Sequence, residues 1–179
     1  MFNKNSQIQY NKFICEFYRE INGKTKSISN LVFLCIGTDR ITGDCFGPIV
    51  GDRLQRLGNN ISVYGSLEEP IIESNLRNKL DEIYLKFPSP FIVAVDAALS
   101  KEENIGKIFV MSDSLKLGMG LGKNIAQIGN ISIKGVVGKK ERSKKKNMQI
   151  LQNTSLNMVM NLADIVSNGI VEVLKEEYK

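Results

Sequence analysis

Apolar positions along the chain fall into two rhythms, one helical and one of short unbroken runs. Phe13, Ile14, Phe17, Tyr18 and Ile21 recur at helical spacing and predict an amphipathic first helix over about 6–22, ended by Asn22-Gly23. Leu31-Val32-Phe33-Leu34-Cys35-Ile36 is apolar throughout and stops at Gly37, the pattern of a strand covered on both faces in a parallel sheet. A polar loop from Thr38 to Asp44 follows. Gly47-Pro48 then opens a helix in which Ile49, Val50, Leu54 and Leu57 keep their spacing as far as Gly58. Ile61 to Gly65 reads as a short second strand and Ser66 to Glu69 as a loop. Pro70 is placed to open a helix with the stripe Leu76, Leu80, Ile83, Tyr84 and Phe87, and Pro88-Ser89-Pro90 breaks it. Phe91 to Val95 is a third strand, ending at Asp96, and Lys107 to Met111 a fourth. Leu117 to Asn124 is a glycine-rich loop, and Ile125 to Val137 holds one or two further strands. After a basic loop over 138–147, Leu151, Met158, Val159, Leu162, Ile165, Val166, Ile170 and Val173 predict one long C-terminal helix over about 148–176, with Gly169 as a weak point suited to close packing.

Apolar strands alternating with helices indicate an α/β sandwich around a mostly parallel sheet. No internal repeat and no linker divides the chain, so residues 1–179 are expected to form one domain.

Composition narrows the chemistry. With 42% hydrophobic and 24% charged residues, the chain is neither disordered nor collagen-like nor a disulfide scaffold. No apolar run reaches the roughly 20 residues needed to span a bilayer, and the polar N-terminus has no signal-peptide core. The expectation is a cytoplasmic protein with no membrane contact. Three cysteines without framework spacing fit a reducing compartment. The chain has no histidine, which removes Ser-His-Asp and Cys-His catalysis and every histidine-containing metal site. Chemistry is left to carboxylates, lysine, tyrosine, cysteine and backbone groups. The net charge of +5 is local: residues 138–147 hold six basic residues and one acidic, and the remainder of the chain is neutral. That stretch reads first as a solvated loop, and secondly as a weak contact for nucleic acid through Lys139 to Lys146. No aromatic residue is interleaved with it, which argues against stacking on single strands.

In open α/β sheets ligands bind at the carboxyl ends of strands, near a reversal of strand order. Asp44 follows the first apolar strand and Asp96 ends the third. If those strands are neighbours, the two carboxyl groups converge above one sheet edge. Close carboxylates cannot both ionise cheaply, so one retains a proton, and the pair supplies an acid and a base for attack of water on an amide. From spacing alone, Asp44 can equally cap the helix at Gly47, and Asp96 can accept backbone amides. Gly118-Met119-Gly120-Leu121-Gly122-Lys123-Asn124 fails the phosphate-loop pattern, because Leu117 and Asn124 stand where glycine and Ser/Thr are required. It reads as a cleft-lining loop whose amides can hold a substrate oxygen, with Lys123 near the carboxylates, or as a plain glycine turn. Cys45 has no histidine partner and is not expected to act as a nucleophile. Asp39 can pair with Arg40 or touch substrate. Glu68 and Glu69 can receive a basic peptide or stay solvated. Asp39, Asp44 and Asp96 can be imagined around a cation, but nothing in the spacing fixes such a site, and no metal or cofactor is expected.

The segment Cys35-Ile36-Gly37-Thr38-Asp39-Arg40-Ile41-Thr42-Gly43-Asp44-Cys45-Phe46-Gly47-Pro48 resembles the signature of the YyaC-type sporulation proteins, the spore-protease-like family of endospore-forming bacteria. Val93-Ala94-Val95-Asp96-Ala97-Ala98-Leu99 resembles its second motif. Gly118 to Lys123 and Ile128 to Val137 resemble its third, so the likeness runs from about Leu31 to Val137. That family is similar to germination protease and, more distantly, to hydrogenase maturation endopeptidases. The resemblance implies a three-layer α/β/α sandwich of phosphorylase/hydrolase-like type and a sporulation-associated peptidase in which Asp44 and Asp96 are catalytic. Thr38, Asp39, Glu68, Gly118, Gly120, Gly122 and Lys123 are the expected substrate contacts. The substrates implied are proteins or peptides, small acid-soluble spore proteins among them, in the cytoplasm of forespore or mother cell, and a homo-oligomer is compatible. Hydrogenase endopeptidases use a histidine and a nickel-bearing substrate, and a chain without histidine departs from that pattern. The alternatives are a catalytically silent sporulation protein that docks a protein or DNA on the same scaffold, and a small-molecule or nucleotide hydrolase using the same carboxylates.

Overall fold

In the computed structural model, which describes residues 4–25, 28–57, 61–112 and 128–177, five strands form one sheet. In chain order they are β1 (Leu31–Cys35), β2 (Ser62–Tyr64), β3 (Phe91–Ser100), β4 (Ile108–Met111) and β5 (Ile131–Lys139). Across the sheet the order is β2-β1-β3-β5-β4, parallel throughout except that β4 runs antiparallel to β5. Five α-helices accompany it: α1 (Lys4–Ile21), α2 (Phe46–Leu57), α3 (Leu76–Lys86), α4 (Lys144–Gln152) and α5 (Leu156–Glu177).

Every residue of β1 is buried, which explains its unbroken apolar run. Phe33, Val93, Val95 and Ile133 face a core shared with Phe13 and Phe17 of α1, Val50 and Leu54 of α2, and Val166 and Ile170 of α5. Val32, Leu34, Ile92 and Ala94 face the other way, onto Leu76 and Ile83 of α3. The three-layer α/β/α arrangement follows from this two-sided burial. Helix α5 passes through Gly169 unbroken, and the missing side chain lets α1 pack close, since a Cβ there would meet the Phe13 ring at 2.6 Å.

Four expectations change. The third strand does not end at Asp96. β5 keeps pairing with β3 from Asp96↔Lys134 to Ser100↔Lys139, past a bulge between Ala98 and Leu99, so a charged residue sits inside a strand. Pro70 does not open a helix. Ile71 first bridges Ile36 in parallel, and α3 starts only at Leu76. The basic loop over 138–147 is largely ordered secondary structure. Lys139 ends β5, and α4 begins at Lys144 with Ser143 as its cap, the Ser143 side chain accepting from the Lys146 N–H. The single C-terminal helix over 148–176 is two helices. Between them, the Thr154 hydroxyl donates to the Ile150 carbonyl at 2.9 Å, and the Ser155 hydroxyl accepts from the Met158 N–H at 3.5 Å.

The chain leaves β1 for β2 on one side and then returns to β3 on the other. The strand order therefore reverses between β1 and β3, and their carboxyl ends flank the crevice where α/β sheets of this kind hold ligands.

Candidate active site

The segment after β1 is held by close backbone contacts. Gly37 has φ +136, a left-handed conformation that a side chain disfavours, and its N–H donates to the Ile71 carbonyl at 2.8 Å. A Cβ on Gly37 would lie 2.1 Å from the Asp44 backbone oxygen, and one on Gly47 2.1 Å from the Ile36 oxygen. The loop between them is thus folded flat against the end of β1. Thr38 N–H donates to the Asp44 carbonyl at 3.2 Å, and Asp44 N–H to the Ile41 carbonyl at 2.8 Å. Asp44 lies in the short 3-10 turn Thr42–Cys45 that runs directly into α2. From behind, Leu151 and Thr154 press on Gly43, each within 2.9 Å of where its Cβ would be. Cys45 hydrogen bonds through its thiol to the carbonyls of Asp39 (3.5 Å) and Ile41 (3.4 Å). Burial, with the charges of Asp39 and Asp44, raises the Cys45 pKa, so this thiol is poorly disposed to ionise.

Asp96 stands one residue beyond Val95, whose carbonyl accepts the Ile36 N–H at 2.8 Å as β1 ends. It shares a sheet face with Ile92 and Ala94, and its register partner on β5 is Lys134. Asp44 and Asp96 are both half-buried. Burial raises the Asp44 pKa, and a hydrogen bond from the Thr38 backbone partly opposes this. Asp96 is raised from 3.8 to about 7, first by burial and then by the charge of Asp44, against smaller opposing contributions from the Ala97 N–H and Lys134. The two carboxyl groups are therefore electrostatically coupled, and together they keep a proton close to neutral pH.

The other expected contacts are dispersed. Thr38 is half-buried beside the pair, and its hydroxyl lies 3.4 Å from Asp39 Oδ1 and accepts from the Arg40 N–H at 3.3 Å. Asp39 and Arg40 are exposed and form no ion pair with each other among the described residues. Glu68 is exposed and lines a separate cleft of about 510 Å³ at the β2 edge, with Tyr64, Glu69, Lys79, Glu82 and Lys86. Gly118, Gly120, Gly122 and Lys123 lie outside the described residues. Among the described residues no group of three or more Asp, Glu or Cys side chains is arranged to hold a metal, so Asp39, Asp44 and Asp96 do not form such a cluster. Two site residues were missed in the sequence. Lys134 is a cation beside Asp96, and Ser132, two residues earlier on the same face, is buried with an unpartnered hydroxyl. Their signal was a polar residue at every second position of an otherwise apolar strand.

Residues 1–169 match the family described as "Protein of unknown function (DUF1256)". The uncharacterized protein YyaC of Bacillus subtilis (strain 168) is 35% identical over 150 residues, covering 83% of this chain and 72% of that protein. The resemblance read from the motifs is borne out by that match. Among solved structures, the NiFe hydrogenase maturation protease HycI from Thermococcus kodakarensis KOD1 superposes with a TM-score of 0.58 at 19% identity, over 89% of this chain and 98% of that one. At this identity the likeness is one of fold alone, an α/β fold shared with that protein. No helix among the described residues is long and apolar enough to cross a membrane.

Proposed function

The chain belongs to the DUF1256 family, and from its fold and its coupled aspartates we propose that it is a sporulation-associated peptidase, similar to germination protease, that hydrolyses protein substrates in the cytoplasm of a spore-forming cell. The observation that carries this reading is the pair itself. Two half-buried carboxyl groups at the reversal of strand order are coupled so that Asp96 titrates near 7. One ionised and one protonated carboxyl group is the state that water-mediated amide hydrolysis requires at neutral pH.

In the proposed reaction Asp44, ionised, accepts a proton from a water molecule as its oxygen bonds to the scissile carbonyl carbon. Asp96, protonated, donates to the departing amine as the C–N bond breaks. The donated proton and the accepted proton balance, and a second exchange with solvent restores the pair. Lys134 beside Asp96 offers a positive charge to the oxygen that becomes anionic during the addition. An extended substrate segment would pass over Thr38 and Asp39. Activity should fall above about pH 7 as Asp96 loses its proton.

Incubation of the purified protein with small acid-soluble spore proteins tests this, alongside Asp44→Asn and Asp96→Asn. Each variant should lose roughly 10²–10⁴-fold in rate, the range of a lost general acid or base. Unchanged cleavage in both would remove the mechanism.

A further inference from the structure

We infer that the surface formed by the end of β5, the turn after it and the first turn of α4 docks the phosphate backbone of a nucleic-acid duplex. The inference does not depend on the aspartate pair. Lys140, Arg142, Lys144, Lys145 and Lys146 are all exposed, and none has an ion-pair partner among the described residues. Elsewhere Lys12, Lys24, Arg53, Arg56 and Lys79 each meet a carboxylate, and cations unpaired among the described residues, such as Arg40, Arg77 and Lys101, are scattered singly; here the unpaired cations are neighbours along the chain. The acidic groups facing the basic surface are Glu102, Glu103 and Glu141, along an adjoining cleft of about 980 Å³, and Glu102 is already bound to Lys139 at 3.1 Å. The six cations of residues 139–146 outnumber these three carboxylates, so the local excess is positive.

The arrangement is also internally unfavourable. Three consecutive lysines occupy the first turn of α4, with no acidic residue there, so they oppose the helix dipole and repel one another. Nothing among the described residues compensates them, which is the mark of a surface shaped for something outside the chain. The backbone that carries the cations is fixed. Asn147 accepts the Glu141 N–H at 2.7 Å and donates to the Glu141 carbonyl at 3.0 Å, and Ser143 accepts the Lys146 N–H. Cations held in fixed positions, with no aromatic residue among them for base stacking, suit a regular array of phosphates on a stiff duplex more than a single strand. At its far end α4 rests on Gly43, so a duplex held here would lie along the helix that buttresses the Asp44 turn.

The test is fluorescence anisotropy of a labelled duplex of about 20 base pairs and arbitrary sequence with the full-length protein. Binding should weaken roughly 100-fold between about 50 and 200 mM salt, as expected for three to four neutralised phosphates. The triple variant Lys140→Gln, Lys144→Gln, Lys145→Gln should bind at least ~10-fold more weakly at the lower salt, while Lys12→Gln with Lys24→Gln should bind as the parent does. No binding at low salt, or unchanged binding by the triple variant, overturns the inference. So does displacement of the duplex by polyglutamate or by a single strand of equal length as effectively as by unlabelled duplex.

Discussion

Two acidic groups sit at the carboxyl ends of strands in the same sheet, and they are chemically opposite. Asp44 and Asp96 are half-buried beside the reversal of strand order; both are pushed toward the neutral form by burial, and Asp96 also by the charge of Asp44. Glu68, Glu69 and Glu82 line an open cleft at the β2 edge, where Lys79 lies 3.0 Å from Glu82 and 4.0 Å from Glu69. The cleft is the richer in carboxylates, yet they lie open to solvent beside a cation, whereas burial and the charge of Asp44 raise Asp96 to about 7. The proposed acid–base capacity comes from withdrawal of water and, at Asp96, from the neighbouring charge of Asp44, and the number of acidic residues has little to do with it.

The comparison breaks most severely at the backbone that presents Asp44. Gly37→Ala places a methyl group 2.1 Å from the Asp44 carbonyl oxygen at a φ of +136, so both the strained backbone and the clash act together. The expected loss is more than ~4 kcal/mol, measured by chemical denaturation, or failure of the variant to fold. A loss below ~1 kcal/mol would mean that the loop after β1 is not held as described. The same methyl at Gly106 (φ +80) meets nothing within 4 Å and should cost only its backbone strain, about 1 kcal/mol.

Asp96→Asn gives the next largest effect, of opposite sign. The folded-state pKa of Asp96, about 7, lies above the ordinary value of 3.8, so folding favours its protonated form. The stability this group confers is complete below about pH 4 and is lost as pH rises through 7, because the chain must then keep a partly buried charge beside Asp44. Asparagine removes that penalty. The variant should be more stable than the parent by about 2–3 kcal/mol at pH 8, after allowance for partial exposure, and nearly equal to it at pH 4. Thermal melts across this range decide it, and an Asn variant less stable at pH 8 would show that Asp96 is better solvated, or better paired with Lys134, than the geometry indicates.

How far this contrast was readable beforehand depended on the kind of signal. β1 announced itself because a strand buried on both faces has no alternation to disguise it. The convergence of Asp44 and Asp96 followed from placing two such strands side by side, which the register Cys35↔Val95 shows. The extension of β3 through Asp96 was not readable, since it depends on partners that β5 supplies some forty positions later and a charged residue ordinarily ends an apolar run. For the same reason Lys134 escaped notice: its meaning lies in its register partner. The helical character of Lys144–Gln152 was legible in principle from Ser143 as a cap, but six cations in ten residues masked the capping pattern. Glu68 was grouped with the aspartates because it too follows a strand, and sequence order carries no information on burial.

The smallest effects test the other half of the comparison. Glu82→Gln removes the hydrogen-bonded partner that raises the Lys79 pKa, yet the pair is solvent-accessible and joins residues one helical turn apart. Exposed pairs of this kind contribute about 0.3–0.5 kcal/mol, and salt screens them further. Denaturation of Glu82→Gln at low salt should therefore show a loss of about 0.5 kcal/mol or less, fading by about 1 M salt, with no change in the pH dependence set by Asp96. Were this variant to move the pH profile of stability as Asp96→Asn does, the cleft and the aspartate pair would have to be one electrostatic unit, and the distinction between buried and open carboxylates would fail.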